Sequence, residues 1–573
     1  MDMDMGSMDS EATPPNMNAP YANTLAGLLA GFILLLTIRC WFLVAWRRRN
    51  PSTWVGSCFT RLDPIIRSYC SAERRVINAC SYTVCAGRQP LLPPLGALLI
   101  AISLISAVLP LLLVQTDLKV NSNRAGFLAL SIVPFLLAST GKNSAVSLLT
   151  GISSVRLNWL HRLLGTALIL LTTVHMACML YAWGKFPSFL QSQLELNKVH
   201  YGLVGYGSLC VVVLGSIYPV RKYAHEVFLG THLLAFVFLG AIAKHTPYAL
   251  RYFFAGLFCY VLNALAGWFV KSYLARARIE ILPERCTRLT LRLSSPMVHH
   301  PGQHIYVCLP SISKIEWHPF TITSTQVDKE GACDTRVEVH ACVRGNFTRK
   351  LYNTVYPDKE LVAFVAGPCG IAHDHLKSAT MLRNEAVAIV TAGAGITFGM
   401  RLIRELAAAL LTPSENDTAI QTGPVVLEDI YFLWSVRHEE ELAWFNFELR
   451  QLLADFDKAY QIKSSSMPRL HIQYYITGGS TTDAGTPIEK YDDLSLAAIP
   501  KMNDRSEPST VVPTVFHKQH INARCLITDL YKPESSFGLY VCGPAGFNAS
   551  FKNAVAGTKH NSQLLLHCED FEI

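Results

Sequence analysis

Apolar residues are distributed along this chain in two ways. Up to about residue 272 they run in long stretches, roughly 21–46, 92–114, 125–141, 157–182, 201–219, 225–245 and 251–272, joined by polar loops. At a rise of about 1.5 Å per residue, such stretches are of a length to cross a hydrocarbon layer about 30 Å thick, so seven membrane-spanning helices are expected. After about residue 278 apolar and polar residues alternate, as in RIEIL, LTLRL, HIYVCL, FTIT, RVEVHACV and LVAFVAG. Alternation with period two and frequent turn residues predicts a small antiparallel β-barrel. From about 385 the rhythm changes again. AVAIVTAG, EDIYFLWSV, LHIQYYIT and FGLYVCG are continuous apolar strands, and FGMRLIRELAAALL reads as a helix between the first two. Buried strands alternating with helices predict a parallel, nucleotide-binding sheet. The polar stretch 478–512, rich in Gly, Ser, Thr and Pro, reads as a mobile insertion.

Charge adds direction. Arg47–Arg49, Arg74 and Arg75 follow the first stretch, Lys142 and Arg156 the third, Arg221 and Lys222 the fifth, and KSYLARAR the seventh. Positive loops stay in the cytosol, which places these loops and the C-terminal half inside and the N-terminus outside. The chain is 50% hydrophobic and 16% charged, against about 25% charged residues in soluble domains, so a large part belongs in lipid. The net charge of +8 clusters beside the apolar stretches, which points to membrane lipid as a partner and not to nucleic acid. The 16 cysteines show no CxxC or zinc spacing and read as reduced thiols. No basic region precedes the first apolar stretch, so no cleaved signal peptide is expected. Met1, Met3, Met5, Met8 and Met17 are soft donors suited to Cu(I), although a flexible tail without function is the simpler reading.

Four histidines lie inside two of the apolar stretches: His161 and His175 in the fourth, His232 and His245 in the sixth. An imidazole among lipid and apolar neighbours has no water to satisfy its ring nitrogens, so intramembrane histidines carry a functional expectation. His161 and His175 are separated by about 21 Å of rise and nearly four whole turns, which puts them on one face near opposite membrane surfaces. Both stretches run from inside to outside, which pairs His161 with His232 and His175 with His245. Two such pairs suggest two stacked cofactors, and haem held by one imidazole from each helix is the natural candidate. The rival reading is interhelical hydrogen bonding. The interval from His232 to His245 leaves those two more than about 100° out of phase on an ideal helix, so tilt, cofactor orientation or a π-turn is needed. His225 is expected at the cytosolic boundary in a structural role.

From about residue 90 onward the chain resembles the fungal ferric reductases of the ferric reductase/NADPH oxidase superfamily. The resemblance rests on GKNSAVSLLTGIS, on LHRLLG with the four histidines, and then on HPFTITS, VRGNFT, VAGPCG, TAGAGITF, VCGP and HCEDFEI, in that order. It implies an all-α haem bundle followed by a ferredoxin-reductase-like module, with an antiparallel FAD barrel and an α/β NADP domain. His318, Pro319, Phe320 and Thr321 resemble the flavin-binding signature, with Thr321 and neighbouring backbone at the isoalloxazine edge and Ser324 in the same segment. Arg344, Gly345 and Thr348 resemble the pyrophosphate clamp, where a guanidinium and nearby N–H groups meet phosphate. Gly367-Pro368-Cys369-Gly370 resembles a GPYG turn in which Cys369 replaces the aromatic.

For the nucleotide, Gly393, Gly395 and Thr397 follow a buried strand and open a helix, where pyrophosphate can approach backbone N–H groups. Cys542, Gly543 and Pro544 end the last expected strand, and the resemblance implies a place beside the nicotinamide. Arg437, just past FLWSV, suits a 2′-phosphate and so NADPH over NADH. Arg524, in INARCL, is expected as a second contact, although it departs from the family's GRP. Phe571 resembles the C-terminal aromatic that covers the flavin, here followed by Glu572 and Ile573.

The expected organisation is an external tail (1–20), a first span with a cytosolic linker (21–90), a haem membrane domain (91–274), an FAD barrel (275–375) and an NADPH domain (376–573). The resemblance implies electron transfer from cytosolic NADPH through FAD and two haem b groups to external Fe(III) chelates, with Cu(II) as a further acceptor. It further implies a plasma membrane location, a vacuolar one being the alternative, and coupling to an iron permease or a multicopper oxidase. The runner-up is a superoxide-generating NADPH oxidase with O2 as acceptor. The additional first span and the short 246–250 loop favour metal reduction. A transporter or channel with structural histidines is a third class, disfavoured by the flavin and nucleotide strings.

Overall fold

The computed structural model describes residues 18–47, 54–87, 89–141, 144–314, 316–325, 335–354, 360–411, 426–463, 467–478, 515–559 and 561–570. The five tail methionines, residues 479–512 of the expected insertion, Lys142 and Phe571 lie outside the described residues. The chain folds as two compact units, residues 1–47 with 101–264, and residues 48–100 with 265–573.

Helices form at all seven predicted stretches. Among the described residues six runs, Asn18–Arg47, Leu95–Leu113, Arg156–Gly184, Asn197–Gly215, His225–His245 and Ala249–Phe269, are long and apolar enough to cross a membrane, and Asn123–Ala138 is shorter at 16 residues. That short helix is the most enclosed. Leu128 and Ile132 are fully buried against the neighbouring helices Asn18–Arg47 and Ser154–Gly184. Its buried Arg124 donates to Asn18 Oδ1 at 2.9 Å and to the Leu111 carbonyl at 3.1 Å, so the guanidinium is satisfied inside an apolar cluster. By contrast Leu34 and Leu35 on the first helix are 58% and 68% exposed, as side chains facing lipid would be.

The span holding His232 and His245 is not one regular helix. It breaks at Leu233 into His225–His232 and Leu234–His245, and the Phe236 N–H bonds the Leu233 carbonyl at 3.1 Å in a tight i to i−3 turn. The phase mismatch is therefore absorbed by an interruption directly after His232 and not by a π-turn.

In the second unit, six strands form an antiparallel sheet: β1 (Ser272–Leu282), β2 (Cys286–Leu293), β3 (His304–Cys308), β4 (His318–Thr321), β5 (Arg336–Cys342) and β6 (Leu361–Cys369). Their order is β4-β3-β6-β1-β2-β5, and a bridge between Ile322 and Val339 brings the two edges together. The sheet so nearly closes into a barrel, its interior filled by alternate residues such as Leu289, Leu291, Ile305, Val307, Val337 and Val339.

A second sheet contains β7 (Ala386–Ala392), β8 (Asp429–Val436), β9 (Arg469–Ile476), β10 (Val515–His517), β11 (Phe537–Gly543) and β12 (Leu564–Asp570). The order is β10-β9-β8-β7-β11-β12, with every pair parallel. Helices Ile396–Leu411 and Asn446–Lys463 contribute to one core, and Ala523–Leu530 and Ala545–Ala556 to another. Cores on both faces explain why β7 and β11 read as continuous apolar runs. The strand order reverses beside β7, so the carboxyl ends of β7 and β11 frame the crevice where such sheets take ligands.

Candidate functional site

The four membrane histidines meet as two couples. The His161 and His232 ring centroids are 6.2 Å apart, and those of His175 and His245 are 6.4 Å apart. An ion bonded to one nitrogen of each ring at about 2 Å needs centroids about 6 Å apart, so both couples have room for one metal between them. The other ring nitrogens are anchored. His161 Nδ1 lies 3.1 Å from the Leu136 carbonyl, His175 Nδ1 2.9 Å from that of Ser122, and His245 Nδ1 2.8 Å from that of Lys198. A carbonyl only accepts, so these rings carry their proton on Nδ1 and present an Nε2 lone pair, the tautomer that a metal-ligating imidazole needs. His232 Nδ1 has Ser216 Oγ at 3.3 Å. The donor set therefore fits iron of the haem kind, which these four imidazoles would hold.

The props for these rings were not named by sequence reasoning. Ser122 and Leu136 bracket the short helix Asn123–Ala138 at the same interval that separates His175 from His161, so one helix orients both rings. Two glycines let neighbouring helices close on the imidazoles. A Cβ at Gly126 would fall 3.2 Å from His175 Cγ, and one at Gly202 would fall 2.8 Å from His245 Nδ1. A glycine facing His175 and another facing His245 were the available signal. His225 begins its helix with its ring 5.6 Å from that of Phe228, which in turn lies 5.2 Å from His232.

In the barrel, His318, Pro319, Phe320 and Thr321 form β4, paired with β3 from His304↔Thr321 to Val307↔His318. His318 stacks on Phe347 at 3.9 Å, which ties β4 to the segment carrying Arg344, Gly345 and Thr348. The N–H groups of Arg344 and Gly345 donate to Thr348 Oγ1 at 2.9 and 3.1 Å, so both are used to cap the loop locally. Cys369 is buried and sits opposite His304 on β3. Ser324 Oγ accepts from the Glu338 N–H at 3.1 Å, and the Ser324 carbonyl accepts from Arg401. Arg401 is a buried cation on Ile396–Leu411, held by Glu405 at 3.1 Å, and burial lowers its pKa to about 10. Arg404, one turn on, donates to the Thr323 carbonyl at 3.1 Å. These two arginines pin the end of the flavin-signature segment to the nucleotide lobe, and RLIRE, with its arginines three apart, was the overlooked signal.

Glu338, His340 and Glu448 bring three potential metal-ligand atoms within 4.8 Å of one another. Cations already occupy that position. Arg288 pairs with Glu448 and donates to His340 Nε2 at 3.3 Å, and Arg404 lies 3.7 Å from Glu338. Burial, helped by Arg288 and Arg404, holds the His340 pKa well below its ordinary value. The cluster is an ion-pair network joining the barrel to the lobe.

At the sheet's carboxyl edge, Gly393 adopts φ +53° directly after β7, and the Trp434 indole N–H holds its carbonyl at 3.2 Å. A Cβ at Gly395 would collide with the Cys542 carbonyl, so the turn after β7 and the end of β11 touch only because Gly395 lacks one. Thr397 Oγ1 donates to the Ala394 carbonyl at 3.0 Å. Cys542 is buried, and desolvation by burial, with Glu569 and Asp570 nearby, raises its thiol pKa far above the ordinary range. Gly543 follows it, and Pro544 leads into Ala545–Ala556. Arg437, at the end of β8, closes against the backbone of Gly478 at the end of β9, and its N–H donates to Glu441 at 3.2 Å. Arg524 lies in the first turn of Ala523–Leu530. It lines two cavities of about 330 and 360 Å³, with helix residues Ser550, Asn553 and Ala554 on one side and Thr528, Thr558 and Lys559 on the other. None of the turn residues Gly393–Thr397 lines either cavity.

Three family profiles match in chain order: a ferric reductase like transmembrane component at 125–243, an FAD-binding domain at 272–391 and a ferric reductase NAD binding domain at 384–556. Ferric reduction oxidase 2 of Arabidopsis thaliana is 28% identical over 51% of this chain and 40% of its own length. The probable cell surface ferric reductase kap2 of Aspergillus oryzae is 28% identical over 62% and 47%. A superoxide-generating NADPH oxidase heavy chain of Dictyostelium discoideum is 23% identical over 65% and 53%. The chain thus spans about half the length of the curated relatives it matches. With a ferric-reductase membrane domain, an FAD domain and its matching nucleotide domain in one polypeptide, the chain belongs to the ferric reductase/NADPH oxidase superfamily.

Proposed function

We propose that the chain is a plasma-membrane oxidoreductase that passes electrons from cytosolic NADPH, by way of FAD and two bis-histidine b-type haems, to external Fe(III) chelates and Cu(II). Reduced metal would be handed on to an iron permease or a multicopper oxidase. When bound, these groups supply the redox chemistry: hydride from nicotinamide, its division into single electrons at flavin, and conduction through lipid by haem. The chain's own residues bind, orient and exclude water. His161 with His232, and His175 with His245, offer paired Nε2 donors, and the carbonyls of Leu136, Ser122 and Lys198 hold the protons on Nδ1. β4 and Ser324 offer the flavin edge, and the Arg344 guanidinium its phosphates. Gly393, Gly395 and Thr397 admit the dinucleotide, Arg437 meets a 2′-phosphate, and Cys542, as a neutral buried thiol, packs beside nicotinamide without carrying charge. The loop arginines support an external N-terminus and a cytosolic C-terminal half.

The observation that carries this reading is the pair of histidine couples at 6.2 and 6.4 Å with anchored Nδ1 atoms. Metal over O2 as acceptor is supported by the plant and fungal relatives and by the connection Thr246–Tyr248 after His245, which is too short to form a cap. The likeness to the Dictyostelium oxidase favours O2 as the second reading. Purified protein in liposomes, supplied with NADPH and either an Fe(III) chelate or O2 alone, distinguishes them. Chelate reduction without superoxide is expected, and superoxide without chelate reduction overturns the reading.

A further inference from the structure

Residues 54–94, between the first two apolar helices, lie outside the three matched regions, as does everything after 556. The structure joins these two unmatched parts inside the second unit. Trp54–Cys80 forms a helix whose Arg74 donates to the Ser562 carbonyl at 3.2 Å. One turn on, Asn78 is 3% exposed and donates to the Leu564 carbonyl at 3.3 Å. Beyond the helix, the Thr83 N–H donates to Asn553 Oδ1 at 2.7 Å, and Asn553 Nδ2 donates back to the Thr83 carbonyl at 2.7 Å. One carboxamide therefore satisfies both backbone groups of a residue that is itself only 3% exposed, as a neighbouring strand would. A two-rung ribbon, Cys85–Ala86 against Gln89–Pro90, then turns the chain back.

Of these bonds, the one from Asn78 lands on the first residue of β12, an edge strand of its sheet, and the one from Arg74 lands on the turn just before it. An edge strand with one neighbour frays and slips unless something covers it. At its far end Glu569 and Asp570 stand opposite Cys542 and Gly543, and Asn548 Nδ2 holds the Glu569 carbonyl at 2.8 Å. The start of β12 is held by Asn78, with Arg74 on the turn before it. Both ends of the strand are thus pinned, one from within the lobe and one from a segment 486 residues away in sequence.

We propose that residues 54–87 are a strap that docks on the nucleotide lobe and holds β12 in register, so that the corner formed by Cys542–Gly543 and Glu569–Asp570 depends on the chain between the first two apolar helices. The docking surface is the start of β12, the turn before it and the outer side of Ala545–Ala556. Its occupant is a segment of this same chain, recognised through buried carboxamide–backbone bonds.

The test uses full-length protein in lipid nanodiscs and reads amide hydrogen exchange, which does not depend on any electron acceptor. In Asn78→Ala/Asn553→Ala, exchange across 564–570 should accelerate at least tenfold while 286–293 in the barrel stays unchanged. Unaltered exchange in β12 overturns the proposal. Asn553→Cys guards against a variant that merely unfolds, because Cys85 Sγ lies 3.8 Å from Asn553 Nδ2. Mild oxidation should join residues 85 and 553 and return β12 to slow exchange. Failure to form that bond, or a bond that leaves β12 in fast exchange, contradicts the strap.

Discussion

Gly202→Ala adds one methyl group beside His245 and separates a histidine that only occupies space from one held for ligation. The new Cβ would lie 2.8 Å from Nδ1 and 2.9 Å from Cε1 of the ring. An ordinary contact is about 3.5 Å, so the ring must retreat by more than half an ångström. That retreat stretches the 2.8 Å bond from Nδ1 to the Lys198 carbonyl, and the ring leaves the roughly 0.5 Å tolerance of a preorganised site. Overpacking and the weakened bond together cost about 2–3 kcal/mol locally. Gly207, on the same helix, provides the control: nothing lies within 4 Å of its added Cβ. There alanine should stabilise the helix by about 0.5–1 kcal/mol. The assay is haem per chain with optical and low-temperature EPR spectra of purified protein. Gly207→Ala should keep two low-spin bis-imidazole haems, and Gly202→Ala should lose the low-spin signal of one. Two unperturbed haems in Gly202→Ala would refute the reasoning.

Other consequences lie in the second unit. Arg401→Leu strands the Ser324 carbonyl and Glu405 beside a buried site, which should cost about 2–4 kcal/mol and weaken FAD retention on gel filtration; unchanged melting and flavin content would contradict that role. Burial holds the pKa of His340 well below 6.5 and that of His299 to about 3, so both stay neutral when folded and take protons when unfolded below pH 6.5. Stability should therefore fall as pH drops through that window, by about 1.4 kcal/mol per group between pH 7.5 and 5.5, and a flat melting profile would exclude this. Cys542, whose pKa is raised by burial, should resist iodoacetamide at pH 8 in native protein while the exposed Cys525 reacts; comparable labelling by mass spectrometry would show the thiol to be open.

The elements whose burial is one-sided or complete were legible from residue pattern alone. All seven apolar stretches are helical, and RIEIL through FGLYVCG are strands, because continuous and period-two patterns have few other solutions. The histidine pairing was legible from loop charge and spacing. What supports it was not: the carbonyls of Ser122, Leu136 and Lys198 carry no side-chain signature, and no Gly or Pro adjoins the break at Leu233. β10 and β12 were missed, since VFH is three residues and LLLHCED ends in charges. The strap was missed for a related reason. Trp54–Cys80 is polar enough to read as a linker, and its bonds reach residues hundreds of positions away. Arg524 departs from the family's GRP, and in the structure it opens Ala523–Leu530 and lines the cavities shared with Ala545–Ala556.

The central claim is that electrons cross the membrane through two stacked histidine couples. Its most direct measurement uses protein sealed in liposomes with NADPH on the cytosolic side and an Fe(III) chelate on the other. Wild-type protein should reduce the chelate, whereas His175→Leu should abolish that reduction while leaving NADPH-driven flavin reduction and the His161–His232 haem signal intact. Chelate reduction at the wild-type rate in His175→Leu would contradict the claim.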